Sequence, residues 1–80
     1  MKRISIIGAG NWGTALAITL ARKGHPITLW AYEREVVESI RSRHENELYM
    51  PGIKIPLDVV ATGHPGEAVE SDVVGAGVLL

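Results

Sequence analysis

The chain has 80 residues, 46% of them apolar but no phenylalanine, and a formal net charge of −1. A protein that binds nucleic acid or an anionic membrane usually carries an excess of positive charge, which this chain lacks. The lack of cysteine excludes disulfides and thiolate metal sites, and no apolar run is long enough to cross a bilayer. These features predict a small cytoplasmic domain with a mostly aliphatic core.

The first element is a short β-branched run, Ile4 to Ile7. It contains one polar residue, as expected for a strand covered on both faces in a parallel sheet. The sequence Gly-Ala-Gly-Asn-Trp-Gly follows at positions 8 to 13, with G-x-G-x-x-G spacing. Because this loop follows a strand and opens a helix, it predicts a binding site for the phosphates of a dinucleotide.

Each glycine of this loop has its own expected role. Gly8 supplies a tight turn that only glycine makes without strain. At Gly10 a side chain would fill the space where a pyrophosphate approaches the backbone, and Gly13 lets the helix pack closely against the strand. The unpaired N–H groups of the first helical turn, with the positive end of the helix dipole, then form an anion site.

A mostly buried helix is predicted after the loop, with an end near Arg22 and Lys23. Gly24 suits a left-handed cap, and Pro26 cannot continue the helix. The apolar face recurs at helical spacing through Trp12, Ala15, Leu16, Thr19 and Leu20.

A second strand, Ile27 to Trp30, completes a parallel β-α-β unit with a right-handed crossover. Glu33 to His44 is predicted as a second helix, with early acids and late bases that match the dipole. Its narrow buried stripe consists of Val36, Val37 and Ile40.

The remaining segments have weaker patterns. Residues 45–57 carry turn residues without a sustained period and predict an ordered loop. Residues 59–61 predict a third strand and residues 65–70 a short helix. A fourth strand begins near residue 72, but Gly75 is a poor continuation because glycine weakens a strand interior. The fold class is therefore α/β, the Rossmann-type βαβ start of a doubly wound parallel sheet that is half built at residue 80.

The sequence resembles the start of NAD(P)-dependent glycerol-3-phosphate dehydrogenase over roughly residues 3 to 74. The resemblance rests on Ile-Gly-Ala-Gly-Asn-Trp-Gly-Thr-Ala-Leu-Ala at 7–17, Gly-His at 24–25, Thr-Leu-Trp at 28–30 and Tyr-Met-Pro-Gly-Ile-Lys-Ile-Pro at 49–56. It implies a cytosolic enzyme that interconverts dihydroxyacetone phosphate and sn-glycerol 3-phosphate by hydride transfer, for glycerophospholipid synthesis. Two departures stand out: Tyr32 replaces a residue that is often basic, and Gly-Ala-Gly at 75–77 replaces further aliphatic residues.

The resemblance also implies a domain arrangement. Residues 1–80 would be the N-terminal part of a NAD(P)-binding Rossmann domain, and a helical substrate domain would follow. The family's catalytic lysine belongs to that later sequence. No catalytic residue is therefore expected here, and the chain is not expected to turn over substrate by itself.

The expected cofactor contacts come from the loop, the end of the second strand and the 45–57 segment. They are Gly8, Gly10, Asn11, Trp12, Gly13, Tyr32, Arg34 and Tyr49. Ala31 stands where an NAD-selective site has an acid, so NADP and NAD should both be accepted, with NADP ahead, unless Glu33 turns inward. Tyr49 either reaches toward the cofactor or packs the loop, and packing is the favoured role.

Other functions are less well supported. His44 and His64 have no partners at metal-ligand spacing, so no metal site is expected. An S-adenosylmethionine or flavin protein would also favour an acid at Ala31. A non-catalytic dinucleotide-binding module, or a half-sheet that associates into a homodimer through its open edge, remains the alternative.

Overall fold

The computed structural model of the chain describes residues 3–64 and the backbone of residues 73–76. Within those residues the chain forms a four-stranded parallel sheet, two helices and a two-stranded antiparallel hairpin. In chain order the elements are β1 (Ile4–Ile7), α1 (Asn11–Arg22), β2 (Ile27–Trp30), α2 (Arg34–Arg43), β3 (Glu45–Asn46), β4 (Met50–Lys54), β5 (Val59–Thr62) and β6 (Val73–Ala76).

The parallel sheet has the strand order β5-β2-β1-β6. In register, Ile4 of β1 lies opposite Ile27 of β2, which in turn lies opposite Val59 of β5. The ladder continues beyond β1, where the Gly8 N–H donates to the Trp30 carbonyl at 3.0 Å. The predicted parallel β-α-β unit is confirmed. Because the strands are parallel, their carboxyl ends meet along one edge of the sheet, where the glycine-rich loop also lies.

The buried face of α1 differs from the predicted one. Trp12 is 70% exposed and Thr19 is exposed, while Ala15, Leu16 and Leu20 are only partly buried. The buried residues are the smaller ones and one isoleucine: Gly13, Thr14, Ala17, Ile18 and Ala21. The helix approaches the sheet so closely at Gly13 that small side chains fill the contact, and the leucines lie at its margins. The expectation of a mostly buried helix was therefore wrong.

Helix α2 agrees closely with its prediction. Val36, Val37 and Ile40 are its buried residues. His44 ends the helix in the left-handed conformation, at φ 55°, and its N–H donates to the Ile40 carbonyl at 2.9 Å. Arg41 links the helix to the sheet, because its Nε donates to the Ala61 carbonyl of β5 at 2.9 Å.

The segment predicted as an ordered loop at residues 45–57 contains the β3–β4 hairpin instead. Asn46 pairs with Met50, and Glu45 pairs with Lys54. Gly52 has a positive φ of 84°, and its N–H donates to the Glu45 carboxylate at 2.8 Å. A two-residue strand and a partner that contains proline and glycine carry almost no strand signal, which explains the wrong prediction.

Strand β6 continues through Gly75 and Ala76, where the sequence predicted a poor continuation. Gly75 lies opposite Ile6 of β1 in a parallel ladder, and this pairing holds the glycine in the strand. The short helix predicted at residues 65–70 lies outside the described residues. In the described part of the chain no helix is long and apolar enough to cross a membrane.

Candidate functional site

The glycine-rich loop joins β1 to α1 as the sequence predicted. Gly8 has a φ of 108°, a conformation that side chains rarely adopt, so the expected turn is present. A Cβ at Gly13 would lie 1.8 Å from the Gly8 carbonyl oxygen, so the expected close approach of helix and strand is also present. These two glycines are therefore required by the fold itself.

Gly10, unlike Gly8 and Gly13, is not required by the fold. Its backbone, at φ −76° and ψ −166°, is extended, which any residue can adopt. A Cβ built on it would meet no heavy atom within 4 Å. Nothing in the described chain therefore requires glycine here, and the space beside this residue is open.

The first turn of α1, which begins directly after Gly10, has free backbone donors. The first helical hydrogen bond is made by the Thr14 N–H to the Gly10 carbonyl, at 2.9 Å. The N–H groups of Asn11, Trp12 and Gly13 precede it and have no helical acceptor. Gly10 provides no side-chain cap, and the first turn contains no acidic residue. The helix end thus offers partial positive charge to an anion.

Beneath the loop lies a polar cluster that the sequence did not reveal. Asn46, fully buried, donates from Nδ2 to the Ala9 carbonyl and to Thr14 Oγ1, both at 2.9 Å. The Thr14 hydroxyl also donates to the Ala9 carbonyl, at 3.2 Å. Asn46 stands in a polar stretch, where no periodicity marks one residue as buried. Its role depends on the hairpin, which was itself not predicted.

The end of β2 and the start of α2 bring Tyr32 and Arg34 to one shallow cleft of about 350 Å³. Tyr32 is 84% exposed and meets Trp30 edge to face, with ring centroids 6.3 Å apart. The exposed Arg34 pairs with Glu38 at 3.6 Å. Arg41 and His64 also line the cleft, and sequence reasoning missed both of them. Their placement depends on β5 lying beside β2.

Tyr49 lies apart from that cleft and packs against the core. Its hydroxyl donates to the Glu33 carboxylate, and its N–H donates to Asn46 Oδ1 at 3.2 Å. These contacts are those of the packing role that the sequence favoured. They also hold the Glu33 carboxylate at the hairpin, and Glu33 does not line the cleft.

The hydrogen bond to Glu33 raises the pKa of Tyr49, with smaller contributions from burial and from the charges of Glu33 and Glu35. A tyrosine in the unfolded chain ionises at about pH 10. Because the folded pKa is higher, the stabilisation is complete below about pH 10 and is lost as the pH rises through the folded pKa. We therefore expect Tyr49→Phe to lower stability at neutral pH and to differ less from the wild type at higher pH.

Urea unfolding at a series of pH values measures this difference. Tyr32→Phe is the matched control, because the Tyr32 ring is exposed, and it should leave neutral-pH stability unchanged. A Tyr49→Phe deficit that does not change above about pH 10 would contradict the role of this hydroxyl.

Comparison with known proteins adds to this geometry. The model of the family described as NAD-dependent glycerol-3-phosphate dehydrogenase N-terminus matches residues 3–78. The chain belongs to this family. The match spans nearly the whole sequence and includes the glycine-rich loop, the cleft and the hairpin.

Individual members of this dehydrogenase family are also similar to this chain in sequence. A glycerol-3-phosphate dehydrogenase (NAD(P)+) of Halalkalibacterium halodurans is 45% identical over 74 residues, which are 92% of this chain and 21% of that protein. The protein of the same name from Geobacter sp. (strain M21) is 57% identical over 67 residues, or 84% of this chain and 20% of that protein. The chain thus spans about a fifth of the length of the curated relatives it matches.

A solved structure supports the fold. The crystal structure of glycerol-3-phosphate dehydrogenase from Coxiella burnetii superposes with a TM-score of 0.85 at 36% identity, over 94% of this chain and 23% of that one. The Rossmann-type prediction is confirmed. Among the described residues, no three His, Asp or Glu side chains are placed to hold a metal ion.

Proposed function

We propose that this chain is the cofactor-binding part of an enzyme that reduces dihydroxyacetone phosphate to sn-glycerol 3-phosphate with NAD(P)H, for glycerophospholipid synthesis. The relatives named glycerol-3-phosphate dehydrogenase (NAD(P)+) support this reaction. The observation that carries the proposal is Gly10, a glycine that neither its backbone angles nor its neighbours require. A ligand that must approach the backbone closely explains it.

The diphosphate of the cofactor would lie over residues 8–13. The N–H groups of Asn11 and Trp12 would donate to its oxygens, and the helix dipole would favour its charge. The open space beside Gly10 fits a diphosphate oxygen at the backbone. The cofactor supplies the hydride, and this part of the protein binds and orients it.

Residues 1–80 form the N-terminal part of a NAD(P)-binding domain in this proposal. The relatives extend far beyond the matched region, which is about a fifth of their length. The substrate domain and the catalytic residues would lie in that further sequence, so the 80 residues alone would be inactive. We place the protein in the cytoplasm, with small-molecule partners and neither nucleic acid nor membrane.

The intact protein tests the reaction directly. NADH and NADPH are titrated first, with nicotinamide fluorescence as the binding signal, and dihydroxyacetone phosphate is then added while nicotinamide absorbance is recorded. Glyceraldehyde 3-phosphate, the aldehyde isomer, is the control substrate. An intact protein that binds neither cofactor, or that oxidises neither with dihydroxyacetone phosphate, would contradict the proposal.

The cleft beside β2 would decide the choice of cofactor. Ala31 brings no carboxylate to repel a 2′-phosphate, and Glu33, held by Tyr49, stays outside the cleft. Glu38 does line the cleft, and its carboxylate is paired with Arg34 at 3.6 Å. Tyr32 would cover the adenosine, and Arg34 would face the 2′-phosphate. We therefore propose that both cofactors bind, with NADPH preferred.

We expect Arg34→Gln to weaken NADPH binding about fivefold and NADH binding less than twofold, since one exposed charge-assisted contact is lost. Arg43→Gln is the matched control, because Arg43 lies at the other end of α2 and pairs with Glu47. Binding titrations of both nucleotides measure the effect. Equal losses for NADH and NADPH would show that Arg34 does not read the 2′-position.

A homodimer is a second proposal, and β5, one of the two outer strands of the described sheet, favours it. β5 ends the strand order, Val60 on it is 50% exposed, and the neighbouring Leu57 is 75% exposed. An open strand edge with apolar side chains favours association with a second copy. Light scattering of the intact protein that gives a monomer mass at high concentration would contradict it.

A further inference from the structure

The Ala9 carbonyl in the glycine-rich loop is held from below by two buried side chains. Asn46 Nδ2 donates to it at 2.9 Å and the Thr14 hydroxyl at 3.2 Å, so both lone pairs of the oxygen are used. Asn46 and Thr14 are each 0% exposed. Ala9 itself is 3% exposed, so this carbonyl points into the protein and away from the open side of the loop.

The direction of this carbonyl fixes the direction of the next amide. The described chain has no cis peptide bond, and in a planar trans peptide the N–H points opposite to the C=O. With the Ala9 carbonyl turned inward onto Asn46 and Thr14, the Gly10 N–H is turned away from these buried side chains, to the outer side of the loop. The loop thereby presents one more donor beside the first turn of α1.

We propose that Asn46 is a positioning residue for the dinucleotide site, which holds the Ala9–Gly10 peptide so that the Gly10 N–H faces the diphosphate. This inference rests on the proposed function. Asn46 touches neither the cofactor nor the substrate in this arrangement. It acts through the carbonyl of Ala9, from the side of the loop opposite to the ligand.

The chemistry of asparagine suits this task. Its amide has two N–H donors, which serve Ala9 and Thr14, while its Oδ1 accepts from the Tyr49 N–H at 3.2 Å. A buried polar group is costly unless its hydrogen bonds are made, and here both N–H donors and the oxygen of the amide have partners. An apolar residue would fill the same volume but would not orient the peptide.

The support for Asn46 is itself fixed. Asn46 belongs to β3, and the Ser39 hydroxyl of α2 donates to the neighbouring Glu45 carbonyl. Ile55, just after β4, donates its N–H to the His44 carbonyl at 2.7 Å. The start of β3 and the end of β4 are therefore both bonded to α2 and its C-cap residue, His44. Asn46 of this anchored hairpin in turn holds the Ala9 carbonyl of the loop in place.

The test compares ligands with and without a diphosphate in the intact protein. We expect Asn46→Leu to weaken the binding of NADH and of ADP about tenfold, because the Gly10 N–H is no longer held toward the ligand. Adenosine, which has no diphosphate, should change its affinity less than twofold. Calorimetry measures NADH, and NMR shift titrations measure ADP and adenosine. The thermal unfolding of each variant is also measured, so that affinities are compared only between folded proteins.

Thr14 provides a second approach to the same carbonyl if Asn46→Leu does not fold. Thr14→Val removes one donor to Ala9 while keeping the side-chain shape, and it should weaken NADH about threefold to fivefold. Thr14→Ser keeps the hydroxyl and should restore wild-type affinity. Thr28→Val is the matched control, because Thr28 is also a buried threonine of the core but accepts its hydrogen bond from Arg3, away from the loop.

The outcomes separate the inference from the proposed function. A wild-type protein that does not bind NADH contradicts the proposed function. If the wild type binds and a folded Asn46→Leu or Thr14→Val variant binds NADH equally well, the positioning role is wrong and the proposed function stands. Equal losses for adenosine and ADP would also overturn it, because a general disturbance of the fold would weaken both.

Discussion

Gly13→Ala should destabilise the fold by about 3 kcal/mol or more, at the upper end of the overpacking range. Its new Cβ would lie 1.8 Å from the oxygen and 3.1 Å from the carbon of the Gly8 carbonyl. Both contacts are with backbone, so no side chain can rotate away. Helix α1 or the end of β1 must move, and the contacts of Ala17 and Ala21 with the sheet would loosen. Urea and thermal unfolding of the intact protein measure the loss.

Two other glycines provide controls of graded severity. Gly63→Ala would meet only Val37 Cγ2 at 3.8 Å, an ordinary contact, and should change stability by less than about 0.5 kcal/mol. Gly52→Ala has open space but a φ of 84°, and should cost about 1 kcal/mol. If Gly13→Ala unfolds like Gly63→Ala, helix and strand are not as close as the structure indicates.

The order of strand, loop, helix and strand could be predicted because each boundary carries its own chemistry. Gly24 and Pro26 mark the end of α1, and β-branched residues with short polar interruptions mark β1 and β2. The fold class followed from that order, since two such strands joined by a helix are almost always parallel and right-handed.

The buried face of α1 could not be read from hydrophobicity alone. A period that favours leucine selects Leu16 and Leu20, but the helix–sheet distance decides which side chains fit, and that distance is a tertiary property. The clue was the predicted close approach at Gly13. A helix that near the sheet needs small residues along the contact, and the sequence supplies Ala17 and Ala21 there.

The sequence predicted those residues of the candidate site that adjoin a strand in the chain, but not those that distant elements bring to the site. The loop, Tyr32 and Arg34 follow directly from the ends of β1 and β2. Asn46 does not, because its importance arises only when a hairpin without a strand pattern folds under the loop. His64 likewise joins the cleft only because β5 lies beside β2.

The second large effect is expected at Gly10, and it concerns binding and not folding. Gly10→Ser should leave thermal stability unchanged or slightly higher, since its backbone is extended, its Cβ meets nothing, and serine is a favoured N-cap residue. The same substitution should weaken the binding of NADH and NADPH by roughly two orders of magnitude, because two charge-assisted hydrogen bonds to the diphosphate are lost. The serine hydroxyl would accept from the free N–H groups of α1, and its Cβ would occupy the approach to the backbone.

Binding titrations and thermal unfolding of one preparation provide both measurements. Arg43→Gln, at the far end of α2 and outside the cleft, is the control that should change neither. Gly13→Ala should lose stability, and Gly10→Ser should lose only nucleotide binding, because the fold requires Gly13 whereas in the proposed function only the ligand would require Gly10. A stable Gly10→Ser protein with wild-type affinity would mean that the diphosphate does not lie over residues 8–13, and the proposed cofactor site would be wrong.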